Sequence, residues 1–385
     1  MATNVINIRE FVDVSTSVAA TPTNVSRDWG ALLFVQKGTN GQTTTVTTYD
    51  DLEALLQAMS NTEAAKAATV FYGSTYNGIS PTSPITVAVI GAADATEFTT
   101  NFSALLGSEA YYHIVLDTGF TVAMQKAAAG LAQAQNANAA HKLYLDDHSE
   151  DAIEKALADD TDSIAAYCAS NKYTHTAVVW SDASNTNKYY SAAMAAFFAT
   201  RKFDGSSRRM ASIAHKQASG IAPVDLAITI ANSTNTPTQR FKNLDSKNCS
   251  VYANIKIVGL PAWERGNLPS GDDISDFISA DYINYRVSVA VFQLLQAVPR
   301  VPMNSAGATM LAGTLRLCWN ELAAAGVITG GTALDGTVIP EPGYIISIPL
   351  PTGVAKANGL WEGIYCVGLL AGSCKKVVIG NELKK

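Results

Sequence analysis

The sequence predicts a mixed α/β fold divided into several domains. Strand-like and helix-like segments alternate between residues 84 and 258, and a long helix-periodic segment follows. A separate strand-like segment lies near each end of the chain, at 4–14 and at 364–380. A chain of 385 residues is long enough for two or three domains with sizeable cores.

The N-terminal segment predicts an isolated β-strand. Apolar residues fall on one face of the extended segment and polar residues on the other, with Ile6, Ile8, Val12 and Val14 opposite Asn7, Arg9 and Asp13. A strand without a partner exposes backbone donors and acceptors. It either joins the sheet of another copy or pairs within its own domain. In the first case the predicted contact residues are Val5, Ile6, Ile8 and Val12.

The C-terminal segment predicts a second strand with the same two alternatives. Ile364, Cys366 and Leu370 precede Gly372, and a short apolar run follows before the charged end of the chain. If this strand pairs between subunits, the predicted contact residues are Val377, Val378 and Ile379.

Composition and charge narrow the function classes. Only 16% of the residues are charged although 48% are hydrophobic, and this poverty of charge is consistent with extensive subunit contacts. A net charge of −6 without a long basic run argues against nucleic-acid binding. The first residues lack the apolar core of a signal peptide, and no apolar stretch approaches 18 residues. We therefore expect a protein made in the cytoplasm, without insertion into a membrane.

The region from 84 to 258 has the rhythm of a largely parallel sheet covered by helices. Four short apolar runs predict strands buried on both faces, at Ile85–Ile90, Tyr111–Leu116, Lys142–Leu145 and Ala177–Trp180. The segments between and after them predict helices, at 96–106, 121–139, 150–171 and 187–202. A further strand is predicted at Val251–Val258.

Carboxylates follow three of these predicted strands. Asp117, Asp146 and Asp182 could gather at the carboxyl edge of the sheet and hold Mg²⁺ as part of an α/β enzyme, with His148 as a base. Alternatively, each carboxylate caps the start of a helix. The five cysteines lack paired spacing, and neither glycine-rich stretch, Gly38–Gly41 or Gly330–Gly336, matches a phosphate loop. We favour capping and expect neither enzymatic activity nor a cofactor or metal.

A long helix and a second helix dominate the last third of the chain. Apolar residues at spacings of three and four mark one face of the first, namely Ile274, Ile278, Tyr282, Tyr285, Val289, Phe292 and Leu295. Ser270 is expected to cap its start, and Pro299 to end it. The second helix contains Leu311, Leu315, Leu317, Leu322 and Ala325 and closes at Gly326-Val327-Ile328.

This order of features resembles the contractile tail sheath proteins of bacteriophages. The similarity lies in the strand from Val251, the loop through Ser270-Gly271 into the long helix, the Val301-Pro302-Met303 segment after it, and the helix ending in Ala-Gly-Val-Ile. Val5-Ile6-Asn7-Ile8 followed by Trp29–Phe34 is similar to an arm that leads into a first core strand. The late strand Tyr344–Ile348 is similar to the one that precedes the last strand of a sheath.

The resemblance implies a domain organisation and a function. It implies an N-terminal arm at 1–25, an α/β body with an outer domain at 26–250, an inner domain at 251–360 and a C-terminal arm strand at 361–385. It further implies a non-enzymatic subunit of a virion tail, assembled in the host cytoplasm as stacked hexameric rings. Arms exchanged between neighbours would hold the rings together while contraction drives a tube through the host envelope for genome ejection.

The same resemblance implies partners. They are further copies of the chain, the tail tube protein, and the baseplate and tail terminator proteins. Arg316 and Lys356 in the inner domain are the candidates for contact with the tube, against the alternative of ordinary solvated charges. The sheath of a headless contractile device, such as a bacteriocin or a secretion machine, is the alternative of the same class.

Overall fold

The computed structural model describes residues 27–135, 140–182, 189–203, 208–254 and 259–372. The strands in these ranges are β1 (Leu32–Lys37), β2 (Thr45–Tyr49), β3 (Ile85–Ile90), β4 (His113–Leu116), β5 (Lys142–Asp147), β6 (Thr176–Trp180), β7 (Val251–Asn254), β8 (Pro261–Glu264), β9 (Gly331–Thr332), β10 (Val338–Ile339), β11 (Tyr344–Ser347) and β12 (Tyr365–Gly368). The helices are α1 (Leu52–Ala58), α2 (Glu63–Gly73), α3 (Ala95–Leu105), α4 (Val122–Gln133), α5 (Glu150–Glu154), α6 (Ile164–Ser170), α7 (Tyr190–Ala199), α8 (Pro237–Asp245), α9 (Ile274–Ala297), α10 (Ser305–Ala324) and α11 (Gly353–Ala357).

A six-stranded sheet in the order β2-β3-β1-β4-β5-β6 forms the centre of the first core. Its strands are parallel except β2, which pairs antiparallel with β3 at the edge. β4, β5 and β6 are buried along their whole length, as expected for apolar runs with helices on both faces. The four strands predicted between residues 85 and 180 are confirmed.

Helices cover this sheet. Every residue of α7 is buried, because the helix is apolar all round and packs against both α2 and the sheet. The predicted helices at 96–106, 121–139 and 187–202 correspond to α3, α4 and α7, the last two shorter than predicted. The helix-like segment 150–171 instead forms two helices. The backbone is extended at Lys155, directly after α5, and Ser163 caps the start of α6.

The long helix α9 belongs to both cores of the molecule. Ile274 and Ile278 pack in the first core, whereas Ile283 and Val287 pack in the second. The expected cap is wrong: Asp273 caps the helix by accepting a hydrogen bond from Ser275 N, while Ser270 Oγ donates to Asp272. An Asp directly before the first helical residue has the shorter reach to the free amides.

The second core lies in what we call the C-terminal lobe, residues 283–372. α10 packs along α9, and the antiparallel pair β11 and β12 packs on α10. Gly368 of β12 faces Trp319, and a Cβ there would lie 2.3 Å from the indole ring atom Cζ3. A Cβ added at Gly307 of α10 would lie still closer to the carbonyl oxygen of Pro302. Both sites require glycine for these close approaches.

A buried ion pair ties α9 to the sheet at the boundary between the cores. Lys142 Nζ of β5 lies 2.7 Å from Asp281 Oδ2, and both side chains have almost no solvent exposure. Tyr112 donates a second hydrogen bond to the same carboxylate oxygen, at 2.6 Å. Pairing offsets the cost of burying the two charges. Because each buried charge needs the other, the pair holds α9 in place against β5.

The predicted domain division at residue 250 stays a prediction. Strand β7, the described part of the strand predicted at Val251–Val258, pairs with β8, and Tyr252 and Trp263 pack in the first core. None of the helices among the described residues is both long and apolar enough to cross a membrane.

Candidate assembly surface

The C-terminal lobe has many large apolar side chains exposed at its surface. Its exposed members are Leu295, Leu317, Leu334, Val338, Ile345, Leu350, Val354, Leu360 and Tyr365, with Val354 at 74% and Leu317 at 64% exposure. The first core has few counterparts, among them Val46 and Val122. Grouped exposed apolar side chains mark sites where another protein binds. The lobe is therefore the candidate assembly surface.

The pair β11 and β12 gives this surface an open sheet. Ile346 and Cys366 face each other across the pair and contact the second core, while Ile345 and Tyr365 point outward. Within the described ranges this sheet has two strands. The outer edge of β11 is able to accept a further strand, whereas the continuation of β12 is bridged at Leu370 by Ile328.

The C-terminal strand is only partly as predicted. Residues 365–368 pair with Tyr344–Ser347 of the same chain, and Ile328 forms an antiparallel bridge with Leu370. For this part of 364–380 the alternative of pairing within the chain therefore holds, with an antiparallel partner some twenty residues earlier. The predicted contact residues Val377, Val378 and Ile379 lie outside the described residues, as do Val5, Ile6, Ile8 and Val12.

The two predicted tube-facing cations both lie on this lobe. Arg316 is exposed on α10, beside the exposed Leu317, and Lys356 is exposed on the short helix α11. Neither forms a salt bridge to another described residue. Their role stays a prediction.

The strand-end carboxylates bind backbone amides. Asp117 at the end of β4 accepts hydrogen bonds from Gly119 N and from Lys37 N at the end of β1. These two strands are the neighbours between which a doubly wound sheet would bind a ligand. Both carboxylate oxygens of Asp117 are thus used within the fold at this point.

Asp146 and Asp147 each cap a helix. Asp146 accepts hydrogen bonds from the amide and hydroxyl of Ser191 in the first turn of α7, and Asp147 accepts from Ala165 N in the first turn of α6. Burial raises the pKa of Asp146 to about 6. The capping hypothesis holds for these carboxylates, although the helices they cap are not the next ones along the chain. Ser149 caps α5, which is the next one.

The three predicted metal ligands do not form a metal site. Among the described residues no group of three or more His, Cys, Asp or Glu side chains is arranged to hold a metal ion. His148, the predicted base, has its Nδ1 3.0 Å from Ser181 Oγ. Asp182 is half-buried just after β6. The geometry of Asp117 and Asp146 serves the stability of the fold.

The junction between the two cores was missed by the sequence reasoning. Trp29 packs against Tyr112, Phe203, Tyr282 and Tyr285, and Phe203 stacks on Tyr282 with ring centroids 3.8 Å apart. The periodicity of α9 places Tyr282 and Tyr285 on one face, but nothing in the sequence joins that face to residues 29 and 203.

Solved structures share this fold over nearly the whole chain. A chain of the anti-feeding prophage baseplate is 14% identical, with a TM-score of 0.63 and coverage of 97% of this chain and 98% of that one. A chain of the contracted helical sheath of the anti-feeding prophage is 13% identical, with a TM-score of 0.62 and full coverage of both chains. A chain of the contracted sheath complex of PVC, an extracellular contractile injection system, is 11% identical, with a TM-score of 0.59 and coverage of 97% and 96%.

These similarities define the class of fold. The chain has the fold of contractile sheath proteins, which confirms the resemblance seen in the sequence. No protein-family model and no curated protein sequence matches the chain.

Proposed function

We propose that the chain is the structural subunit of a contractile tail sheath. The observation that carries the proposal is the match over the full length of both chains with a helical sheath in its contracted state. The exposed apolar C-terminal lobe supports it, because a subunit buried between neighbours needs such a surface. Subunits form stacked hexameric rings around an inner tube, and shortening of the stack drives the tube through the host envelope.

The terminal arms connect the rings. In this proposal residues 1–25 and 361–385 reach neighbouring subunits, and Val5–Val12 and Val377–Ile379 add strands to the β11–β12 sheet. Backbone hydrogen bonds give such strand addition its strength, whereas the alternating side chains give its register. The strands exchanged between subunits thus form a mesh that keeps the rings connected while they move.

The two parts of the body have different roles in the proposal. Residues 26–250 form the body with the outer domain, and 251–360 form the inner domain that faces the tube. Arg316 and Lys356 meet acidic groups of the tube. Exposed ion pairs contribute only about 0–1 kcal/mol each, so the sheath is able to slide free of the tube during contraction.

Contraction needs no cofactor in this mechanism. The energy is stored in a metastable packing of subunits and is released when the interfaces switch to a second arrangement. The amide-bonded carboxylates of the first core, Asp117 and Asp146, support a structural role over an enzymatic one.

The particle is either a phage tail or a headless device. The phage reading places the chain in a virion tail, with a tube protein, a baseplate and a terminator as partners and the host cytoplasm as the place of assembly. The headless alternative is favoured by the comparisons with the anti-feeding prophage and with an extracellular contractile injection system. Neighbouring genes for a capsid or for effectors distinguish the two.

Negative-stain electron microscopy of the full-length protein tests the proposal. The protein is expressed alone and together with its candidate tube protein. Helical cylinders with six-fold symmetry in either preparation are the expected result. Monodisperse small particles in both preparations contradict the proposal.

A further inference from the structure

A polar pocket of about 360 Å³ lies where the first core meets the C-terminal lobe. We call it the junction pocket; its walls include Arg27, Trp29, Arg201, Lys202, Tyr282 and Arg286. The cations come from three distant parts of the sequence, and none of the roles described above uses this pocket. It is also large enough to hold a small molecule.

Positive charge is concentrated in the junction pocket. Four cationic side chains line it, against one carboxylate, that of Asp28. Asp28 Oδ1 already accepts hydrogen bonds from Gly30 N and Ser83 Oγ. Arg286 forms a salt bridge with Glu321 on α10, outside the pocket wall, and the described wall itself has four cations and one carboxylate. This concentration is notable in a chain whose net charge is −6.

Arg27 carries the strongest requirement for a negative partner. Its side chain is 6% exposed, and its guanidinium lies over the rings of Trp29 and Tyr112, about 5 Å from each centroid. Nη2 contacts His141 Nδ1 at 3.1 Å, but Nε has no hydrogen-bond partner among the described residues. Arg27 forms no salt bridge with another described residue. A buried cation without a counter-charge is costly.

Among the described residues, the groups next to Arg27 do not supply that charge. His141 is neutral, since burial and the proximity of Arg27 hold its pKa well below the usual range. The buried pair of Lys142 and Asp281 lies next to Tyr112 and is neutral as a whole. The described residues on the inner side of the pocket therefore leave the positive charge of Arg27 uncompensated.

Arg201 repeats this arrangement at the other wall. Its guanidinium donates to Thr200 Oγ1 and lies 4.4 Å from the ring centroid of Phe197. Burial lowers the pKa of Arg201 from its ordinary value, and the nearby Arg208 acts in the same direction. Two guanidinium groups with aromatic backing suit the planar, bidentate recognition of oxyanions.

We propose that the junction pocket binds a small oxyanion, with inorganic phosphate as its simplest form. Arg27 and Arg201 would hold the anion, and Lys202 would add a point charge at the mouth. Binding there joins residues of both cores and raises the free energy of unfolding. The proposal does not rest on the sheath function and can be tested on unassembled subunits.

Isothermal titration calorimetry of the full-length chain with inorganic phosphate tests the site, at constant ionic strength. Saturable binding of one phosphate is expected, weakened about tenfold by Lys202→Gln and further by Arg201→Gln. Lys216→Gln is the matched control, because Lys216 is exposed and lies outside the pocket. It should bind phosphate like the wild type.

Two results would overturn the proposal. One is the absence of saturable heat in the wild-type protein. The other is equal binding by the wild type and by Lys202→Gln and Arg201→Gln, which would mean a general effect of salt on the protein surface. Circular dichroism of each variant before titration confirms that a lost signal is not lost folding.

Discussion

The first core buries its apolar side chains more completely than the C-terminal lobe does. In the first core β4, β5 and β6 are buried end to end, and α7 is buried on all sides. In the lobe β11 and β12 contain half-buried and exposed residues but no fully buried one, and side chains such as Leu317 and Val354 face outward. The first core is complete by itself, whereas the lobe has apolar surface left for a partner.

This difference indicates which changes should affect the stability of a single subunit and which should affect its assembly. A change in the first core should act on folding of the single subunit, since its strands and helices pack against one another within the chain. A change on the lobe or in the arms should act on contacts between subunits. The following predictions break or sharpen that contrast.

Deletion of residues 1–14 has the largest expected effect on assembly. The truncated subunit should fold, because the described core from Ala31 onward is complete without it. Without the arm it should form no extended cylinders, since the strand that links neighbours is lost. Electron microscopy and circular dichroism measure the two properties separately. Normal cylinders from the truncated protein would falsify the role of this arm.

Asp281→Ala has the largest expected effect on folding. It leaves Lys142 buried without a counter-charge and removes the acceptor of the Tyr112 hydroxyl. Loss of one partner of a buried pair costs about 3–5 kcal/mol of unfolding free energy, measured by urea denaturation. The double variant with Lys142→Met and Asp281→Leu is the control and should regain most of the loss. A single variant as stable as the double one would contradict a buried charge at the junction.

Acid should destabilise the first core before it affects the lobe. Burial lowers the pKa of His113 and of His175 to about 3, and that of His141 well below its ordinary value. The unfolded chain therefore binds more protons than the folded one once the pH falls below about 6.5, so stability decreases from there towards pH 3. His113 and His175 each cost about 2 kcal/mol at pH 5, and His141 acts in the same direction.

Asp146 partly offsets this loss. Its folded pKa of about 6 is above the unfolded value, so its protonation favours the folded state as the pH falls through that range. Burial raises the pKa of Asp117 and Asp147 in the same direction. We expect the three histidines to outweigh these carboxylates, so that stability is lower at pH 5 than at pH 7. Urea denaturation at both values checks it; equal free energies would show that these histidines are not buried in solution.

Much of the first core could be predicted because short, continuous stretches of sequence are enough to indicate its strands. The apolar runs at 85–90 and 142–145 are short and continuous, and such runs mark strands buried on both faces. The ends of α9 were also local, with Pro299 beyond its last turn. The cap at Asp273 was missed because Ser270, Asp272 and Asp273 are all plausible caps within four residues.

The junction could not be predicted because its partners are far apart in the chain. Lys142 and Asp281 are 139 residues apart, and Asp146 caps a helix that begins 44 residues later. Arg27 and Arg201 share a pocket without any common motif. The pairing of β12 with β11 was left open for a different reason: the sequence pattern indicates a strand without indicating which edge it joins.

Asp146→Ala separates the capping role from the metal hypothesis. Loss of the hydrogen bonds to Ser191 should cost roughly 0.5–2 kcal/mol of unfolding free energy. Capping predicts the same loss with and without added Mg²⁺. An enzyme site would instead give Mg²⁺-dependent stability in the wild type that the variant lacks. Urea denaturation of both proteins, with and without the ion, decides between these outcomes.

Leu317→Ser and Val122→Ser form the most direct test of the two regions, with the smallest expected effect on folding. Both side chains are exposed, 64% at Leu317 and 41% at Val122, so each change should alter the unfolding free energy by no more than about 0.5 kcal/mol. Leu317 lies beside Arg316 on the lobe, and its loss should reduce the yield of cylinders under conditions where Val122→Ser assembles normally. Equal yields from the two variants would mean that the exposed face of α10 is solvent-facing in the assembled sheath. The partner-binding surface would then have to be sought on β11 and β12, whose outward residues Ile345 and Tyr365 offer the next matched substitutions.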